Sequence, residues 1–200
     1  LERFVAGEGF SRIEPRLPSP DRCRLVNALG LFAKNLGDLA RARMAFSHCR
    51  RLDAAASDPK NESADAGNLA DVELHAGRFR AALEYSDSAV SLATEAKAEE
   101  GTEFSLAYRA TAHFALGDIV IAVAGFQRAT ELEGQPLYST RGIREAECKL
   151  LRGDRSGALS QTQANREICA RNDWNAHVCR SNALLTRLLA PEDPAQATQR

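Results

Sequence analysis

Histidines, cysteines and close pairs of carboxylates are the side chains through which a chain of 200 residues would do chemistry. The four histidines, His48, His75, His113 and His177, form no His-x-x-x-His pair, so no helix face carries two imidazoles placed for one metal ion. The five cysteines, Cys23, Cys49, Cys148, Cys169 and Cys179, are odd in number and contain no Cys-x-x-Cys pair. That argues against a disulfide scaffold and against a structural zinc site. Cys49 reads as a small core residue and His113 as a packed histidine rather than a base. There is no Gly-x-Ser-x-Gly nucleophile turn, no phosphate-binding P-loop and no Gly-x-Gly-x-x-Gly. Glu145 and Glu147 are two apart, a spacing that a helix turns to different sides. The expectation is a protein that is not an enzyme, with no metal and no cofactor.

Charge and hydropathy narrow the classes further. The formal net charge is −1, but residues 1–60 sum to +4, residues 61–140 to −8 and residues 141–200 to +3. An acidic centre of this kind could steer a basic partner; an ordinary solvated surface is the simpler reading. The arginine pairs at 41/43, 50/51 and 78/80 lack interleaved aromatics, so nucleic-acid binding is not expected. No apolar run approaches the roughly 20 residues that span a bilayer, so no membrane association is expected. The cysteine usage suits a reducing, cytoplasmic compartment.

What must position the remaining side chains is a repeat. Gly37-Asp38, Gly117-Asp118 and Gly153-Asp154 each stand between two apolar-periodic segments, and Gly77-Arg78 holds the same place once more. The glycines are 40, 40 and 36 residues apart. Seven residues before each comes a small residue: Gly30, Ala70, Ala110 and Ala146. Five residues after each comes an alanine: Ala42, Ala82, Ala122 and Ala158. Leu106, Ala110 and Phe114 mark one helical face before Gly117; Ile119, Ala122, Val123, Phe126, Ala129 and Leu132 mark another after it. A glycine ends the first helix in a left-handed conformation, and the aspartate that follows caps the second. Two antiparallel helices approach closely where facing residues are small, which predicts Gly30 against Ala42 and Ala110 against Ala122. Proline is confined to the ends and links, and no alternating β-branched run suggests a strand.

Four copies in register resemble a tetratricopeptide repeat (TPR) array. Gly30, Gly37, Ala42 and Phe46, then Cys49, follow the pattern, and Ala110, Gly117, Ala122, Phe126 and Ala129 follow it fully. The second copy has Ser86, beside Tyr85, where an aromatic belongs. The fourth has Thr162 and Asn165, the poorest match. The family period is about 34 residues, so a spacing of 40 implies longer helices or longer links, as in TPR-like arrays of bacterial signalling ATPases. The resemblance implies an all-α fold: an α-solenoid of stacked antiparallel helix hairpins in a right-handed superhelix. It covers repeats at about 23–62, 63–102, 103–138 and 139–172. Residues 1–22 are expected to cap the array or to end an upstream domain, the chain being read as a fragment. Residues 173–200 are expected to form a truncated fifth repeat or a capping helix, from Trp174 to Ala190. If truncated, that helix should expose Leu184, Leu185, Leu188 and Leu189 and favour self-association.

The resemblance also implies a site. In TPR arrays the first helices line a concave groove, and the recurring positions hold Asn27, Leu31 and Lys34, then Asn68, Asp71 and His75. Phe104, Tyr108 and Thr111 follow in the third repeat, and Ile143, Arg144 and Glu147 in the fourth. The family's clamp for a C-terminal carboxylate is matched by Asn68 but not by Asn27, Leu31, Phe104 or Tyr108, so no chaperone-tail clamp is expected. The groove suits an extended or helical peptide held by side-chain pockets. The function implied is a protein-interaction module, the sensor or scaffold part of a larger bacterial signalling protein. The alternative is a regulatory domain of an enzyme, with a small molecule or peptide enclosed by His75, Asp71 and Tyr108. Twenty-two arginines against four lysines, with abundant alanine, agree with a GC-rich bacterial source.

Overall fold

The computed structural model describes residues 18–98 and 101–190. The described residues are helical, with no strand. The helices are α1 (Ser19–Asn35), α2 (Leu39–Ala55), α3 (Pro59–His75), α4 (Phe79–Glu95), α5 (Thr102–Leu116), α6 (Ile119–Glu133), α7 (Ser139–Leu151), α8 (Arg155–Arg171) and α9 (Asn175–Leu189). The fold class is therefore the expected all-α one. None of these helices is long and apolar enough to cross a membrane. The 40-residue spacing is taken up by the helices themselves: α1 to α4 are 17 residues each, and the links between them are single turns. Contacts divide the chain into two units, Leu1–Asp118 and Ile119–Arg200.

The turns follow from the glycines. Gly37, Gly77, Gly117 and Gly153 adopt φ of +82°, +71°, +92° and +81°, where a Cβ would be strained. At each, the next backbone N–H returns to the carbonyl five residues earlier: Asp38 to Ala33, Arg78 to Glu73 and Asp118 to His113 at 2.9 Å, and Asp154 to Lys149 at 3.0 Å. The carboxylates of Asp38 and Asp154 accept the N–H of Arg41 and Gly157 at 3.0 and 2.8 Å, capping α2 and α8. The sequence contains a second set of such turns without glycine. Ser57, Lys97 and Asp173 hold the left-handed position at φ +53°, +50° and +57°. The same closing bond follows each, from Asp58 to Asp53, Ala98 to Ala93 and Trp174 to Cys169, all at 2.9 Å.

In the first unit, α1 and α2 form a hairpin whose close approach is not quite the expected one. A Cβ on Gly30 would lie 2.8 Å from the Phe46 ring and 3.0 Å from the Ala45 Cβ. Gly30 thus faces Ala45 and Phe46 rather than Ala42; the ring needs the vacated volume. Ala42 instead joins Ala33, Phe46, Leu69 and Val72 in a core shared by α1, α2 and α3, with Tyr85 packed against it. Tyr85 thereby lends an aromatic ring to the second repeat, where Ser86 is buried and bonded to the Leu83 carbonyl at 3.0 Å. α5 packs on α3 and α4. Ala110 and Ala122 are both buried, each in its own unit.

In the second unit, α7, α8 and α9 pack side by side. Ile143, Ala146 and Ala158 bury Leu184 and Leu188. The expected apolar patch on α9 is accordingly reduced: Leu185 is half-buried, and of the four leucines only Leu189, at 67%, stays open. α9 starts one residue after Trp174, which is its N-cap. The expected continuation from Pro191, and the apolar stretch proposed as an N-terminal cap, lie outside the described residues.

Candidate interaction surface

Five of the expected groove residues meet across α1 and α3. The Asn68 amide donates to the Asn27 side-chain oxygen at 3.0 Å, and Lys34 pairs with the Asp71 carboxylate. His75 Nδ1 lies 2.8 Å from the Asp71 carbonyl and 3.2 Å from its carboxylate. Asp71 is 4% exposed. Burial pushes its carboxyl up, but the His75 hydrogen bond and the Lys34 charge outweigh that, and the group is held below the ordinary carboxylate range. The same hydrogen bond raises the His75 imidazolium against the opposing effect of burial. Lys34 and Asp71 are therefore spent on each other, so Lys34 is not left over to hold a carboxylate tail.

On α5, the third first-helix of this unit, Thr111 is buried and donates to the Ala107 carbonyl at 2.8 Å, while Tyr108 is half-buried. A Cβ at Gly67 of α3 would touch the Ser105 hydroxyl at 3.4 Å, so α3 and α5 are in contact along this wall. Leu31 and Phe104 are the large apolar groove residues left open, at 38% and 37%. Arg144 and Glu147 belong to the second unit, where they pair with each other at 2.7 Å on α7; Ile143 is buried in that unit's core.

Three clusters that sequence reasoning did not single out lie elsewhere. In the first unit, Glu73 is 1% exposed, and both its oxygens accept from Arg43 at 2.6 Å while Arg78 closes on one of them. Burial pushes Glu73 up, but the bonds and charges of Arg78 and Arg43 hold it below the usual range. Arg43 thereby locks α2 to α3, while Arg78, standing where the other turns have an aspartate, ties the start of α4 to the same carboxylate. Beneath α1, Asp53 and Asp65 share a hydrogen bond, and burial, that bond and the Asp53 charge raise Asp65 to about 8. The Cys23 thiol donates to Asp53 at 3.7 Å, and Cys49 to the Cys23 carbonyl at 3.3 Å. Burial, then the Asp53 charge, raises Cys23 to about 11, and burial raises Cys49 as well. Thiols so shifted are poor nucleophiles. No group of three metal-ligating side chains occurs among the described residues. His113, its side chain 12% exposed, bonds Asp118 at 3.2 Å and belongs to the third turn.

The third cluster is in the second unit. Gln161, Thr162, Asn165 and Ser181 are buried, Thr162 where the first and third repeats have Phe46 and Phe126. Gln161 donates to the Leu137 carbonyl and Asn165 to the Ser181 hydroxyl, both at 2.8 Å. A Cβ at Gly142 would fall 2.2 Å from the Leu137 carbonyl oxygen. The mismatch of the fourth repeat is thus a satisfied polar core.

No protein-family model and no curated protein matches the chain. Solved structures do. One is a single-substitution form of a Podosopora anserina protein described as a putative kinesin light chain with nearly identical TPR-like repeats. It superposes with a TM-score of 0.60 at 18% identity, over 86% of this chain and 87% of that one. A second structure of that protein gives 0.58 at 15% identity, over 88% and 100%. At this identity the likeness is one of fold: the chain is an all-α helical solenoid of TPR-like repeats.

Proposed function

We propose that this chain is a protein-interaction module and that the α1–α3–α5 wall holds an extended or helical peptide. The observation that carries this is the pair of cross-helix links, Asn27–Asn68 and Lys34–Asp71, which tie two successive first helices side by side. With those polar groups mutually satisfied, binding energy falls to the apolar and aromatic positions beside them: Leu31, Phe104 and Tyr108. The peptide should therefore carry apolar anchors rather than rely on a terminal carboxylate. Arg144 and Glu147 are proposed to make a contact of their own in the second unit. None of the five cysteines is bridged, which agrees with a reducing, cytoplasmic setting. The arginine-rich, alanine-rich composition agrees with a GC-rich bacterial source, and the 40-residue spacing of the turns supports placement in a larger bacterial signalling protein.

Peptides selected from a displayed library on the intact chain test the reading. Leu31→Asp, Phe104→Ala and Tyr108→Ala should each weaken the selected peptides by at least about tenfold, the loss of more than about 1 kcal/mol that marks an anchor. Arg80→Ala and Arg128→Ala, on second helices, should change binding less than about threefold. Loss of binding confined to the two arginine variants would place the partner on the other face and overturn the assignment.

A further inference from the structure

A separate site lies in the second unit. A cavity of about 290 Å³ is lined by Gln135 and Tyr138 of the α6–α7 link, Ile168, Arg171 and Asn172 at the end of α8, and Trp174 at the start of α9. Its walls are held in place from below. Leu137, fully buried, is anchored through its carbonyl by Gln161, which sets Tyr138 at the N-cap of α7. Arg141, 2% exposed, lies over the Tyr138 ring at 4.6 Å and bonds Glu133 at 3.3 Å. Trp174 is fixed by its own backbone, whose N–H bonds the Cys169 carbonyl across the left-handed Asp173. Tyr138 and Trp174 occupy the same register, each the N-cap preceding a first helix, and their ring centroids stand 5.7 Å apart at 32°.

We infer that this cavity binds an aromatic ring that carries a carboxylate. The ring preference follows from the walls. A third ring between Tyr138 and Trp174 would need two contacts of about 3.5 Å each, or about 7 Å of separation. The ligand ring must then lie on the open side, against the Trp174 face and Ile168; Trp174 is 40% exposed. The charge preference follows from the cations and acids at the rim. Arg171 lines the cavity and has no carboxylate partner among the described residues; its Nε reaches only the Glu167 carbonyl, at 3.4 Å. Of the nearby acids, Glu133 is engaged by Arg141 and by the Gln135 amide at 3.2 Å, and Glu167 and Asp173 are exposed and outside the lining. A guanidinium beside an apolar aromatic wall favours a ring with an anionic tail, which it can hold by charge-assisted hydrogen bonds. The volume is at the lower end of ligand pockets and admits one side-chain-sized group.

Two sources share this chemistry: a free aromatic acid, and an aromatic residue at the carboxyl end of a peptide. Trp174 is the chain's single tryptophan, so its emission, and its one indole N–H resonance, report the cavity directly. The full chain should be titrated with 3-phenylpropionate, its amide, its cyclohexyl analogue, and a peptide ending in phenylalanine with a free carboxylate. The aromatic acid should give a saturable change with midpoint between about 0.1 and 5 mM, the range open to a ligand of its size. The amide and the cyclohexyl analogue should each bind at least about tenfold more weakly. Arg171→Gln, a change at an exposed residue, should weaken the acid about tenfold and leave the amide unchanged. Tighter binding of the peptide than of the free acid assigns the peptide source; equal or weaker binding assigns the small acid. No saturable signal with either acid, equal binding of acid and amide, or indifference to Arg171→Gln would overturn the inference.

Discussion

The two units are made from the same hairpin and bury different polar chemistry between their helices. The first has an apolar hairpin core, with Phe46 over Gly30, and ties its helices with buried carboxylates that meet cations at the surface: Arg43 and Arg78 on Glu73, Lys34 and His75 on Asp71. The second relies on neutral polar side chains between its helices. Gln161, Thr162, Asn165 and Ser181 are buried and bonded, and Gly142 lets α7 press on the Leu137 carbonyl and the Asn165 amide. A hairpin pattern of small residue, glycine and alanine thus fixes the turn and the approach, while the chemistry of the layer between helices is free to vary. In the first unit the polar residues expected to line a groove are paired with one another; in the second an arginine and an aromatic pair stay open.

The sharpest test of that contrast is one substitution in both units. Gly142→Ala drives a Cβ to 2.2 Å from backbone oxygen and should cost about 3–4 kcal/mol. Gly67→Ala meets only an ordinary contact at 3.4 Å, and the helix preference for alanine should leave the first unit unchanged or up to about 1 kcal/mol more stable. Urea titration followed by Trp174 emission for Gly142, and by helical circular dichroism for Gly67, reads both. Equal losses would mean that α7 and α3 approach their neighbours alike.

Next in size is the charge lock of the first unit. Glu73→Ala leaves two arginines facing each other without a carboxylate, and should cost about 2–4 kcal/mol, moderated because both arginines reach solvent. Hydrogen exchange should show the loss in α2 and α3. A cost under about 0.5 kcal/mol, the scale of a surface pair, would remove the lock from the comparison.

The buried carboxyl pair makes a pH prediction of smaller size. Asp65 has its folded-state pKa raised to about 8, so its contribution is fully present below the unfolded value and is lost as pH rises through 8. His75, also raised, acts in the same direction; Asp71 and Glu73, held low, lose their contributions as pH falls. The first unit should be most stable in mildly acid solution. Asp65→Asn should be nearly neutral at about pH 4 and stabilising by roughly 1–3 kcal/mol at about pH 9. A pH-independent effect would place the strain elsewhere.

The smallest effect should be the same in both units. Ser57 and Asp173 hold left-handed backbone in a turn where glycine is the natural occupant, so Ser57→Gly and Asp173→Gly should each stabilise by about 0.5–1 kcal/mol. Thermal unfolding that shifts down for either would show that its side chain contributes more than its backbone costs.

These residues mark how far the sequence could be read. The hairpin glycines were legible because left-handed backbone selects glycine, and the capping aspartates because a carboxylate satisfies a helix's first N–H groups. Ser57, Lys97 and Asp173 were not, since the backbone bond that closes their turns leaves no trace in residue type. Of the positions expected to line a groove, Asn27, Asn68, Lys34 and Asp71 meet across α1 and α3. Their mutual neutralisation was not legible, because a lysine on one helix finds its aspartate 37 residues away only when the helices are stacked. The Arg43–Glu73 pair was hidden for the same reason, its partners standing 30 residues apart.

The amino-acid pattern by itself determined the all-α class, the hairpin turns and the helix faces, because each follows from local backbone preference and apolar spacing within one or two helices. Tertiary structure alone decided which polar groups are spent and which stay available. It paired Arg43 with Glu73, buried Asp65 beside Asp53, and set Asn165 of α8 against Ser181 of α9. It also brought Tyr138, Arg171 and Trp174, from three separate elements, to the rim of one cavity. Desolvation and charge pairing depend on neighbours from distant helices, and no local period encodes them.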